Sequence, residues 1–132
     1  MDKNVMAARM ATLARVAKAL EENRMEAHVV ESREALLEAL EKMLPKGASI
    51  ASGGSMTLAE TGVNGLLQRG DYDFYFRGRT GADGQPVDVY RAAFSCDWYF
   101  SSSNAITEDG CLYNVDGNAN RVAALCYGPK RV

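Results

Sequence analysis

Two turns of this chain hold the residue types from which a small-ligand site is built. The first is Ser52–Gly53–Gly54–Ser55–Met56–Thr57. Adjacent glycines let a ligand approach the backbone closely, and N–H groups at the start of a helix attract anions. The Ser55 and Thr57 hydroxyls would add to a cradle for a phosphate or carboxylate. The spacing is neither G-x-x-x-x-G-K-[ST] nor G-x-G-x-x-G, so it is no nucleotide motif. The same residues also read as a tight strand-to-helix turn with a serine cap. The second turn is Asp116–Gly117–Asn118–Ala119–Asn120–Arg121. It too follows an expected strand and precedes an expected helix, which Asn118 or Asn120 would cap. Two such turns in one parallel sheet would meet at its carboxyl edge, where α/β folds place ligands.

Between the turns, Asn104, Glu108 and Asp109 surround an expected hairpin at Asp109–Gly110. Adjacent acids can do general acid–base work when one is buried. Aspartate before glycine is also ordinary turn chemistry, the favoured reading for Asp109. Asn104, Asp116, Asn118 and Asn120 are expected to form one polar cluster, since amides offer both donors and acceptors to a hydroxy acid. A single histidine, His28, gives no support to a catalytic triad.

These residues need elements to position them. Lys3 to Arg24 reads as one helix, with Met6, Met10, Leu13, Ala17 and Leu20 on a broad apolar side. That side is wider than one small sheet face needs, so the helix is expected to pack on a second copy. Met25–Glu31 reads as a short strand, and Ser32 as the cap of a helix from Arg33 to Leu44 stopped by Pro45. Ala48–Ser52, Tyr72–Phe76 and Trp98–Ser102 read as strands. Short helices are expected from about Thr57 to Gly62, over Asn64–Arg69, and from Pro86 to about Ser95. Ala105–Glu108 and Cys111–Val115 flank the hairpin turn, and Arg121–Tyr127 is a last helix before Gly128–Pro129. Lys130–Arg131–Val132 looks like the start of another strand, so a C-terminal part is expected to be missing. Alternating strands and helices predict an α/β class with a mainly parallel sheet.

The chain has 132 residues, enough for one domain with a real core. A net charge of −2 argues against a nucleic-acid partner, which needs a basic face. No run reaches the ~18 apolar residues of a membrane span. Three cysteines without a C-x-x-C pair exclude neither fold nor function, but they make disulfides, metal thiolates and iron–sulfur ligation poor readings. All three are expected as buried small hydrophobes in a reducing cytoplasm. No cofactor motif is evident.

With these residues in view, the chain resembles the LUD (lactate utilisation) domain family. The resemblance rests on the Ser52–Thr57 loop with Glu60 and Gly62, then on Arg91–Ala92–Ala93–Phe94 and Asp97. It continues through the Ser102–Gly110 block, the run from Asn114 to Ala124 and Gly128–Pro129–Lys130. It implies a Rossmann-like three-layer sandwich of the kind shared by ribose-5-phosphate isomerase, glucosamine-6-phosphate deaminase and the coenzyme A transferases. It implies an anion held by Gly53, Gly54, Ser55 and Thr57, with Asn104, Glu108, Asp116, Gly117, Asn118 and Asn120 nearby. It also implies organic-acid metabolism, in which iron–sulfur chemistry would sit on partner subunits. The alternatives are a stand-alone enzyme acting on a sugar phosphate or acyl-CoA, and a non-catalytic assembly subunit. Sugar-phosphate isomerases of this fold carry a catalytic aspartate at a strand end that Asn104 resembles, and an amide cannot act as a base.

Overall fold

The computed structural model describes residues 2–132. In chain order the elements are α1 (Lys3–Glu22), α2 (Arg33–Met43), β1 (Ser49–Ser52), α3 (Met56–Glu60), α4 (Val63–Gln68) and β2 (Asp73–Tyr75). Then come α5 (Val89–Ala93), β3 (Trp98–Phe100), β4 (Ala105–Ile106), β5 (Leu112–Tyr113) and α6 (Asn120–Cys126). They form two compact units. The smaller comprises Met1–Glu31 and Ser103–Asn114, the larger Ser32–Ser102 and Val115–Val132.

The larger unit is built on a parallel sheet of order β2-β1-β3. In the central strand, Ile50 pairs with Phe74 on one side and Trp98 on the other. Successive side chains of a strand point to opposite faces. Ile50 accordingly packs with Leu58, Val63, Leu67 and Phe74, backed by Leu36, Leu37 and Leu40 of α2. Ala51 packs with Ala93, Cys96, Tyr99 and Ala124. Helices α2, α3 and α4 therefore cover one face, and α5 and α6 the other, which is the expected three-layer α/β arrangement. Ser32 caps α2 as expected, its hydroxyl accepting from the Ala35 N–H at 3.1 Å.

The expected start of a further strand is present. Arg131 bridges Trp98 in parallel, with Tyr99 N–H donating to the Arg131 carbonyl at 2.9 Å. An ion pair secures this segment. The Asp97 carboxylate accepts from Lys130 Nζ at 2.7 Å and from the Ser49 N–H and hydroxyl at 3.0 and 2.9 Å. Lys130 first, then these Ser49 bonds, bring the Asp97 carboxyl down to about 2.

Four expectations are corrected. Residues 25–31 form no strand; Val29 and Val30 are exposed, and alternation confers strand propensity without supplying a pairing partner. His28 in this segment meets only Glu26, at 2.6 Å. Helix α5 starts at Val89 instead of Pro86, because the Asp88 carboxylate accepts from the Arg91 N–H at 3.1 Å and sets the start there. Pro86 bridges Thr80 in the loop before it. The hairpin strands are shorter than their apolar runs, pairing only Ala105 with Tyr113 and Ile106 with Leu112. Finally, Cys96 alone of the cysteines is buried; Cys111 and Cys126 are exposed. Burial pushes the Cys96 thiol up to about 11, so it stays protonated and donates to the Ala92 carbonyl.

The smaller unit joins α1 to the β4–β5 hairpin. Gly110 has φ +82°, and a Cβ there would lie 2.6 Å from the Ala19 carbonyl carbon. Glycine thus serves twice, in turn geometry and in backbone approach. The Asn23 amide donates to the carbonyls of Asp109 and Gly110 at 3.1 and 3.0 Å. The Thr107 hydroxyl donates to the Asp109 carboxylate within the turn. Among the described residues, no helix is long and apolar enough to cross a membrane.

Candidate functional site

The β1 turn divides its work. Gly53 N–H donates to the Phe100 carbonyl at 2.9 Å, so this residue still belongs to the sheet. A Cβ on Gly53 would stand 2.9 Å from the Tyr99 hydroxyl and 3.0 Å from Arg121 Cδ. Packing therefore demands glycine at 53. Gly54 is different: it is exposed, its φ is not left-handed, and a Cβ would meet nothing within 4 Å. Neither conformation nor packing asks for glycine there. The Ser55 hydroxyl caps α3 by accepting from the Leu58 N–H at 3.2 Å and pairs with the Ser102 hydroxyl at 2.9 Å. Thr57 is exposed on the first turn of α3.

The second turn corrects the expected cap. Ala119, at φ 59°, precedes α6 without a side-chain bond, and neither Asn118 nor Asn120 caps the helix. Asp116 does so from a distance. Its carboxylate accepts from the N–H groups of Arg121, Val122 and Asn118 at 2.7, 3.1 and 3.2 Å. These bonds, that of Val122 foremost, hold its carboxyl below the usual range. Asn118 and Gly117 are exposed and Asn120 is half-buried. The turn also follows hairpin strand β5, not a strand of the parallel sheet. Arg121 nevertheless brings it to the carboxyl edge. The guanidinium donates to the Ser102 carbonyl at 2.9 Å and the Val115 carbonyl at 2.8 Å, and its stem lies against Gly53. Nothing in the turn's sequence distinguished Arg121 from an ordinary helical arginine.

Asn104 and Glu108 belong to the hairpin of the smaller unit. Asn104 N–H donates to the Tyr113 carbonyl at 3.0 Å, and Glu108 is exposed at the turn.

A cleft of about 320 Å³ opens at the carboxyl ends of β1 and β2, lined by residues of the larger unit alone. Ser52, Gly53 and Gly54 form one wall, and Phe74, Phe76 and Arg77 another. Asn64 and Gln68 of α4 add two amides, and Val89 and Tyr90 of α5 close the remaining side. Of the residues anticipated from sequence, only Gly53 and Gly54 line it. The four-residue spacing of Asn64 and Gln68, which places both on one helix face, was the signal available for the amides.

Arg77 is the one cation of this cleft. It donates to the Tyr90 hydroxyl at 2.6 Å and, among the described residues, forms no ion pair. By contrast, Arg69 is held by Glu41 and Asp71, Arg79 by Asp73, and Lys130 by Asp97. An uncompensated guanidinium beside amides, hydroxyls and a bare glycine backbone suits a carboxylate or phosphate. No group of three or more His, Cys, Asp or Glu among the described residues could hold a metal ion.

The sequence model of the LUD domain matches residues 13–132. No curated protein and no solved structure matches the chain.

Proposed function

The chain belongs to the LUD domain family, associated with lactate utilisation, and from that premise we propose that it binds a small anionic metabolite in the cleft beside Gly54. One observation carries the reading: the Arg77 guanidinium borders the cleft with the Tyr90 hydroxyl as its partner and no acid to neutralise it. The carboxylate of the ligand meets Arg77, and a hydroxyl or keto oxygen meets the amides of Asn64 and Gln68. The protein acts in cytoplasmic organic-acid metabolism, and any electron transfer there belongs to iron–sulfur partner subunits.

Titration calorimetry with lactate, pyruvate and ribose 5-phosphate tests the site. A hydrogen bond to a charged group contributes ~1.5–3 kcal/mol, so Arg77→Gln should weaken binding at least about tenfold. The melting temperature without ligand should not move. Binding indifferent to Arg77→Gln refutes the site, as does absence of binding by these three and by larger 2-hydroxy acids alike.

The same reading includes a second copy of the chain. Helix α1 has no buried residue, and Val5, Met6 and Leu13 are exposed along it. Its cations Lys3, Arg9, Arg15 and Lys18 precede its acids Glu21 and Glu22, so an antiparallel copy brings unlike charges together at the helix ends. Light scattering should give a dimer mass; a monomer at all accessible concentrations ends this part of the proposal.

A further inference from the structure

Resting on that anion site, we infer that the preferred ligand is an amphipathic carboxylate, whose apolar or aromatic tail lies in a groove continuing the cleft along the outer edge of β2. This groove of about 350 Å³ is lined by Leu67, Gln68, Gly70, Tyr72, Phe74 and Phe76. Three of these, Gln68, Phe74 and Phe76, also line the Arg77 cleft, so the two hollows adjoin across these side chains. The polarity runs in one direction along them. Arg77, Asn64 and Ser52 stand at the cleft end, while aromatic rings form the groove end.

The local sequence explains the apolar half. Strand periodicity sets Tyr72, Phe74 and Phe76 on one face. β2 is an edge strand of the sheet, and α4 supplies the other wall through Gln68, with Leu67 buried behind it. Phe76 sits at the junction, 46% exposed, with its ring 6.2 Å from that of Phe74 at 45°. A large aromatic left half in water beside a cation is what a tail with a charged head would cover. Size agrees. Sites of about 300–1,000 Å³ suit ligands well beyond three carbons, and the cleft reaches that range before the groove is added.

The test is calorimetry on the full chain with three probes: lactate, 3-phenyllactate and 2-hydroxyoctanoate. All three share the head group, so differences report the tail. Each buried methylene is worth ~0.8 kcal/mol, so affinity should rise about threefold to fourfold per methylene that enters the groove. Phenyllactate should bind at least about tenfold more tightly than lactate. Tyr72, which lines the groove and not the cleft, separates the two halves. Tyr72→Ala should erase most of the phenyllactate gain and leave lactate affinity within about twofold, whereas Tyr72→Phe should keep the gain. If Tyr72→Ala fails to fold, the probe series on the unaltered chain decides. Arg77-dependent phenyllactate binding without measurable lactate binding also supports the inference. Equal affinity for all three probes, still lost in Arg77→Gln, overturns the tail and leaves the anion site standing. No binding by any probe, or no effect of Arg77→Gln, overturns both.

Discussion

Each of the two units of this chain has its own kind of internal cohesion. All thirteen buried hydrophobic residues belong to the larger unit, from Leu44 to Ala124. The smaller unit has none among the described residues, although it contains the longest helix. Within it, α1 meets the hairpin through a glycine that lets backbone approach backbone and through one amide, Asn23, bonded to two carbonyls. Apolar burial is the dominant stabilising term in folding, whereas a hydrogen bond contributes only ~1 kcal/mol net. The cleft beside Gly54 lies in the unit that has the buried core.

Core truncation gives the largest contrast. Leu67 is fully buried, so Leu67→Ala should lower unfolding free energy by about 2–5 kcal/mol in urea denaturation. Leu13→Ala on α1, 45% exposed, should stay within about 0.5 kcal/mol for the isolated chain. A Leu13→Ala cost that grows with protein concentration would break the contrast and place α1 in a dimer interface.

A middle-sized effect is expected at Gly110. Alanine at φ +82° is strained and meets the Ala19 backbone, at a cost of about 1–3 kcal/mol. The loss should be local. Hydrogen exchange should accelerate in the hairpin and the last turns of α1, with protection around Ile50 unchanged. Equal acceleration in both units would mean that they unfold as one.

The smallest effect is that of pH on the larger unit. The Asp97 carboxyl is depressed from 3.8 to about 2, so its stabilising bonds are complete above about pH 4 and are lost as pH falls through about 2. Lys130 is raised above 10.5, and its share is lost only as pH climbs beyond that value. Because the pair is partly exposed, water screens it and the effect is modest. Asp97→Asn should flatten the melting temperature between about pH 4 and 2 relative to the unaltered chain. Asp116, also depressed, leaves a residual slope in the same acid range. An identical profile in Asp97→Asn would remove this ion pair from the account.

The amino-acid sequence by itself determined the helices over 3–22 and 33–43, the three sheet strands and the Asp109–Gly110 turn. These follow from apolar periodicity, a serine cap and glycine geometry, all of which act within a few residues. It also determined the family, through a long ordered series of short motifs. The tertiary structure alone decided what those elements do for one another. Valines at 29 and 30 have strand propensity, yet no strand lies beside them. The cap of α6 comes from Asp116, because the chain loops back to put a carboxylate under three N–H groups. Ser55 reads locally as a cap or an anion ligand, and only the packed structure brings its hydroxyl to Ser102, 47 residues away, as well as to the Leu58 N–H. Arg77 had no local sequence signal, and its lack of an ion pair among the described residues depends on which of the chain's acids are paired elsewhere. Local signals are legible because backbone geometry and burial periodicity are set by neighbours in sequence. A binding site is not, because it depends on which polar groups remain unsatisfied once distant segments have packed.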